Sequence, residues 1–250
     1  MTIHKQLNIN LIDLSTTDST NNYLKILSNK TMLEEFTVVR ADYQSAGKGQ
    51  RGNYWEAEQG KNLLFSFLLK PISIPISSQF ILSELVSLAL IQSLRNFSDG
   101  FTIKWPNDIY WYDKKIAGIL IEHDLINDKI NKSIIGIGIN INQEEFVSNA
   151  PNPISLKKIT GLEISIKDVL NLFLINFYEK YSQITPAHFE AINNIYNQNL
   201  YRLKGAHLFS DKNGVFKASI QSVNMDGTFN LLDEQSNLRS YLFKEVHYII

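Results

Sequence analysis

No cysteine occurs in the 250 residues, which excludes disulfides and thiolate chemistry. No excess of charge of one sign occurs either. The 24 Lys and Arg are balanced by 25 Asp and Glu, so no global field draws the chain to nucleic acid, and a basic group that matters must act locally. Five histidines (His4, His123, His188, His207 and His247) lack metal-ligand spacing and read as surface or core residues without a chemical role. No Gly-x-Ser-x-Gly nucleophile motif is present, nor any internal repeat or low-complexity tract. The opening MTIHKQLNINLID is too polar for a signal peptide. The apolar segments read as too short and too interrupted to cross a bilayer. The expectation is a cytoplasmic protein with no membrane partner.

What is present is a run of short, well-punctuated elements. Asp18 or Ser19 is placed to cap a helix reaching about Asn29. Phe36–Ala41 and Asn62–Leu69 read as strands, the second buried and ended by Pro71. Ser77 or Ser78 opens a helix to about Phe97 that is apolar on two faces and therefore central to its domain. Four strands follow, over Phe101–Trp105, Ile109–Asp113, Ile116–His123 and Ile130–Ile139, with a tight hairpin at Asp113–Lys114. Helices are expected over Val169–Tyr181 and from Thr185–Pro186 to near Leu200. Beyond Tyr201 the texture changes to five short β segments: Ala206–Ser210, Val215–Val223, Thr228–Leu232, Leu238–Phe243 and Val246–Ile250. The reading is an α+β fold with a mixed, largely antiparallel sheet packed with helices over residues 1–200. A small all-β barrel or sandwich occupies residues 201–250.

Two stretches carry the chemistry. Gly47–Lys48–Gly49–Gln50–Arg51–Gly52 puts three glycines in six positions, so the backbone turns tightly and offers free N–H groups to an anion, with Lys48 and Arg51 adding charge. Taken singly, such a loop is more often a solvated turn. It lacks the Walker ending and the helix that a dinucleotide fingerprint requires. Trp55 is placed either to cover a planar ring or to sit in the core. Lys104–Trp105–Pro106–Asn107–Asp108 is more telling, because a lysine anchored at a strand end is followed by a stiff, aromatic-flanked turn. In Gly136–Ile137–Gly138–Ile139–Asn140, alternate glycines leave one strand face open to a ligand or to a neighbouring backbone. Ala117–Gly118 permits a similar approach. Glu122 reads either as a metal ligand or as the partner of a core cation.

Asp18–Ser19–Thr20–Asn21, Gln44 with the glycine loop, Lys104–Asp108, Lys115–Glu122 and Gly136–Asn140, in that order, resemble the biotin protein ligases. The resemblance implies a class II synthetase-like, lipoate ligase-like catalytic domain with a small C-terminal β-barrel. It implies an ATP-dependent, AMP-forming ligase that makes biotinyl-5′-AMP and biotinylates a lysine of a biotin carboxyl carrier domain. By the same resemblance Lys104 and Lys48 are catalytic. Ser19, Thr20, Gln44, Gly47, Lys48, Gly49, Lys104 and Gly118 hold biotin. Gln50, Arg51, Trp55 and Asn140 adjoin the nucleotide. Magnesium accompanies ATP, with no ligand set read from the chain. The loop departs from the family's usual GRGR: Lys48 keeps charge without arginine's fork, and Gln50 removes a charge that closes over the intermediate. The catalytic pattern begins within twenty residues, so no N-terminal DNA-binding domain is expected, and the chain is read as a monomer or homodimer. The alternatives are a lipoate or octanoate ligase or transferase of the same fold, and a non-catalytic biotin-binding module.

Overall fold

The computed structural model describes residues 9–50, 54–147 and 152–250. Its larger sheet contains strands β1 (Asn10–Thr17), β2 (Thr37–Gln44), β3 (Leu63–Leu69), β4 (Phe101–Lys104), β5 (Asp108–Trp111), β6 (Lys114–Ile126) and β7 (Lys129–Ile139). Their spatial order is β1-β2-β3-β7-β6-β5-β4. β1 runs parallel to β2 and the remaining neighbours are antiparallel, so the sheet is mixed and largely antiparallel as expected.

The central strands are apolar on both faces, because each face has a cover. Val38, Phe67 and Ile135 join the main core, whereas their chain neighbours Val39, Leu68 and Ile134 pack with Leu24 in a smaller cluster. This is the two-residue side-chain period of a strand, read from its two sides. The smaller cluster lies under helix α1 (Thr20–Lys30). The main core lies under α2 (Ile81–Leu94), which is buried nearly all round, and α4 (Ile166–Tyr181). Between these helices in sequence comes α3 (Leu156–Thr160), capped by Ser155 and ended by Gly161 at φ 75°. α5 (Phe189–Gln198) follows a 3-10 turn over Pro186–His188. By length and composition alone Ile76–Leu94 is apolar enough to cross a membrane, which corrects the expectation that no segment is. In the fold most of that stretch is buried in the protein interior.

The five C-terminal segments form a second, antiparallel sheet of β8 (Ala206–Asp211), β9 (Gly214–Val223), β10 (Phe229–Asp233), β11 (Leu238–Tyr241) and β12 (Val246–Tyr248). Its order is β11-β10-β9-β8-β12. Its inward residues, among them Phe209, Val223, Phe229 and Leu231, belong to the same apolar cluster as the main core.

Three local expectations change. β1 was not anticipated. Its pattern of exposed and half-buried residues suits an edge strand that pairs on one side only, and it lacks a clean apolar alternation. The hairpin turn lies at Tyr112–Asp113, since Trp111 pairs with Lys114, and Tyr112 takes the positive φ of 47°. The α2 segment begins as a 3-10 turn at Ile76–Ser78 and becomes α-helical only at Ile81.

Candidate active site

A cavity of about 740 Å³ opens between the large sheet, the N-terminus of α1, the segments at Lys48–Gln50 and Tyr54–Trp55, and the C-terminal sheet. One end is polar and hydrogen-bonded internally. Ser19 occupies the N-cap position of α1 yet makes no capping bond. It is buried and lines the cavity. The cap comes instead from β2: Gln44 Oε1 accepts from the Thr20 backbone N–H at 2.7 Å and from the Thr20 hydroxyl at 3.0 Å. One side chain thus satisfies an orphan helix-terminal donor and ties α1 to the sheet. Ser66, in the middle of the apolar β3, bonds the Thr20 hydroxyl at 2.7 Å and Asn21 Oδ1 at 2.5 Å. Asn21 Nδ2 donates to Glu122 at 3.0 Å, and Glu122 meets Lys25 at 3.7 Å. Glu122 is therefore the partner of an amide and a surface cation. Among the described residues no group of three or more His, Asp or Glu gathers as a metal site.

The alternate glycines of β7 are open faces filled by side chains. At Gly136 a Cβ would lie 2.1 Å from Asn21 Oδ1. At Gly138 it would lie 2.5 Å from Trp55 Cε2, and at Gly118, its cross-strand partner, 2.8 Å from Trp55 Cζ3. The Trp55 indole thus lies on a seat of two glycines, where any larger residue would displace it. It lines the cavity, with its buried Nε1 unpartnered and the Lys115 ammonium 5.5 Å from its ring centre.

The hairpin itself is held by Trp55 N–H donating to Gly47 O at 2.9 Å and by a Lys48–Tyr54 bridge. Lys48 donates to Asn22 Oδ1 at 2.8 Å, and Asn22 donates to Asp18 at 2.7 Å. That Asn22 bond helps hold the Asp18 carboxyl below its usual range. The chain Asp18–Asn22–Lys48 places a cation over the start of α1.

Lys104 supplies the other cation. Its Nζ lies 5.1 Å from the ring centre of Tyr110 and 5.0 Å from that of Tyr248. Burial lowers its pKa below the usual lysine range; Asp108 opposes this, while Lys115 and Arg202 add to it. Asp108 pairs with Lys115 at 2.7 Å. The next residue, Trp105, stacks on Phe229 at 4.7 Å and donates from Nε1 to Gly227 O at 3.0 Å. Its indole thus packs against the C-terminal sheet, while Lys104, Trp105 and Pro106 all contribute to the cavity lining. The Trp105–Pro106 peptide bond is cis.

Ser19, Thr20, Gln44, Lys48, Gly49, Gln50, Trp55, Lys104 and Gly118 all line this cavity, so residues spread over a hundred positions meet. Gly47 and Asn140 do not reach the lining. Gly47 is a site of close approach, where a Cβ would lie 2.8 Å from Trp55 O. Asn140 is buried with Oδ1 unpartnered, and its carbonyl accepts from Leu156 N–H at 3.1 Å. Arg51 and Gly52 lie outside the described residues, as does His4. His247 is an exposed residue at the rim of the cavity. Ser66, Asn22, Tyr110 and Tyr248 were not anticipated as parts of the site. A lone serine in an apolar run is the only sequence cue among them.

Residues 14–140 match the model of the biotin/lipoate A/B protein ligase family. A solved biotin protein ligase from Aquifex aeolicus, in complex with biotin and ATP, superposes with a TM-score of 0.79 at 28% identity, covering 96% of this chain and 99% of that one. The bifunctional ligase/repressor BirA of Bacillus spizizenii is 29% identical over 211 residues, 82% of this chain and 64% of that protein. The chain thus spans just under two thirds of the length of that relative. The biotin–[acetyl-CoA-carboxylase] ligase of Paracoccus denitrificans is 29% identical over 198 residues, 76% of this chain and 80% of that protein. With the matched segment running from β1 to the end of β7 and carrying most of the cavity wall, the chain belongs to the biotin/lipoate A/B protein ligase family.

Proposed function

We propose that the chain is a biotin protein ligase, which activates biotin with ATP and transfers it to a lysine of a biotin carboxyl carrier domain. The observation that carries this reading is the meeting of three things in one cavity: the Thr20–Gln44 polar end, the half-buried Lys104 ammonium and the Lys48–Gln50 segment. Under this reading biotin's ureido ring lies against Ser19, Thr20 and Gln44, with Gly118 beside it, and its carboxylate points to Lys104. ATP enters as its magnesium complex, with adenine near Trp55. Asn140, which stands behind the wall, acts on that region only through the backbone of α3.

In the first step a carboxylate oxygen of biotin bonds to the α-phosphorus as the bond to pyrophosphate breaks. Two anions must approach, and Lys104 and Lys48 offset their repulsion and the charge that develops at phosphorus. In the second step the carrier's lysine amine attacks the biotinyl carbonyl, AMP leaves, and the amine loses a proton. Trp55 and the hairpin keep water from the mixed anhydride. We place the catalytic part at 1–200 and a small β domain at 201–250, the latter closing one wall of the cavity through β12. The reaction draws on cytoplasmic ATP and carboxylase partners, so the cytoplasm is its proposed location.

The test is pyrophosphate release from ATP on adding biotin, followed by mass spectrometry of an added carrier domain. The expected result is one pyrophosphate per biotin transferred and a carrier heavier by one biotinyl group. Release with lipoate or octanoate but not with biotin would assign the cavity to the other branch of the family. Biotin binding without release would make it a binding module.

A further inference from the structure

We propose that Tyr248, acting with Tyr110, is a positioning residue for Lys104: the two ring faces form a cage that holds the ammonium at the cavity wall, so that the C-terminal sheet helps set where the cation stands. Its catalytic consequence rests on the ligase reading above. The cage itself does not.

Among the described residues Lys104 lacks a salt-bridge partner, because Asp108, opposite it in the β4–β5 ladder, pairs with Lys115. A half-buried ammonium needs something that favours its charge. The faces of two aromatic rings at 5.0 and 5.1 Å do so through the ring quadrupole. The tyrosine hydroxyls do not compete for this role. Those of Tyr110 and Tyr248 are buried with no hydrogen-bond partner, so the rings rather than the hydroxyls serve the lysine.

Both rings are themselves fixed. Tyr248 packs against Phe209 at 5.0 Å, Tyr201 at 5.8 Å and Phe229 at 5.9 Å. Tyr110 packs against Tyr201 at 5.1 Å. Phe229 also stacks on Trp105. The C-terminal sheet therefore touches two consecutive residues, Lys104 at the end of β4 through Tyr248 and Trp105 just after it through Phe229. A cation so held is half-buried and free of a carboxylate partner. An entering anion then meets it without first displacing an ion pair, which is the preorganisation that electrostatic catalysis requires.

The other charges facing Lys104 are Asp108 and Lys115, from β5 and β6, and Arg202, which precedes β8. Lys48, Lys244 and His247 stand round the same cavity. None of these is altered by changing a ring at 248.

The test is a series at position 248: Tyr248→Phe as parent, phenylalanine with increasing ring fluorination, and Tyr248→Leu. Fluorination keeps the shape of the ring and weakens its negative face, so the variants need not differ in fold. Two readouts are taken on the full chain. The first is the pH at which Lys104 becomes acylated by acetic anhydride, followed by peptide mass spectrometry. The second is biotin-dependent pyrophosphate release. With each added fluorine the cage predicts acylation at progressively lower pH, because the charged amine loses support. Pyrophosphate release is predicted to fall in step, by about tenfold for the fully fluorinated ring, the size expected for a desolvated cation–ring contact. The leucine variant, where it folds, ranks at or below that ring. Equal acylation profiles and equal rates across the fluorinated series overturn the proposal. If the wild-type chain releases no pyrophosphate with biotin, the ligase reading fails while the acylation series still decides the cage.

Discussion

The two ends of the cavity are built on different principles. At the α1 end, Gln44, Thr20, Ser66 and Asn21 bond one another and leave little to rearrange. At the Lys104 end, a half-buried cation faces aromatic rings and the Trp55 indole lies on glycines with its N–H unpartnered. The first end is a preformed polar shape, which under the proposed reading takes the neutral ring of biotin. The second holds a half-buried cation without an ion-pair partner, supported by Asp108 and two π-faces, and under the proposed reading it is the end that meets anions. Recognition and activation are thus separated along one groove, and changes at the two ends should fail in different ways.

The largest expected effect is at the charged end. Lys104→Ala should lower adenylate formation on the order of 10²- to 10³-fold, the cost of one preorganised donor, with the fold intact by circular dichroism. Wild-type pyrophosphate release in that variant removes Lys104 from the chemistry. At the recognition end, Gln44→Ala leaves the Thr20 donors without their acceptor. It should raise the KM for biotin with little change in kcat and lower stability by about 1–2 kcal/mol. A kcat loss equal to that of Lys104→Ala would erase the distinction between the ends.

Two titratable groups sharpen the contrast further. Under the proposed reading Lys104 governs activity, whereas Glu84 on α2 lies away from the cavity and is expected to govern stability alone. Desolvation raises the Glu84 pKa from 4.5 to about 8, opposed by a 2.6 Å bond from Asn193. Since its folded value exceeds its unfolded one, unfolding releases a proton between those two pH values. Stability then falls as pH rises from about 4.5 to about 8, by at most about 1.4 kcal/mol per unit. Glu84→Gln should flatten that slope in thermal melts and leave the pH profile of pyrophosphate release in place. An unchanged slope contradicts the assignment. The smallest effect is expected at Gln50, an uncharged residue in the cavity lining. Gln50→Arg should slow adenylate release a few-fold in a rapid-quench assay, and an unchanged release rate counts against a closing role.

The sequence made the charged end more legible than the polar one. Lys104 is conspicuous because a strand end, a tryptophan and a proline surround it within five residues. The helix start at Ser19–Thr20 is legible for the same local reason. Tyr248 is not, because nothing near it in sequence distinguishes it from any apolar strand residue, and its contact with Lys104 spans more than a hundred positions. Ser66 is hidden in an apolar run, and its purpose emerges only when α1 lies across β3. The glycines at 118 and 138 announced an open face, but what fills it, the Trp55 ring, depends on how the hairpin folds over the sheet. Gly47 and Asn140 carried local cues as strong as those of residues that do line the cavity. Backbone packing explains Gly47; Asn140 stands just behind the wall. β1 was illegible because an edge strand paired on one side needs no apolar alternation.

The most direct test of the division of labour compares binding of biotin with that of biotinol, its uncharged alcohol, by calorimetry in three proteins. The account predicts that the wild-type chain prefers the carboxylate, that Gln44→Ala weakens both ligands while keeping the preference, and that Lys104→Ala loses it. A preference for the carboxylate that survives in Lys104→Ala would contradict the claim that this ammonium meets the reacting anion.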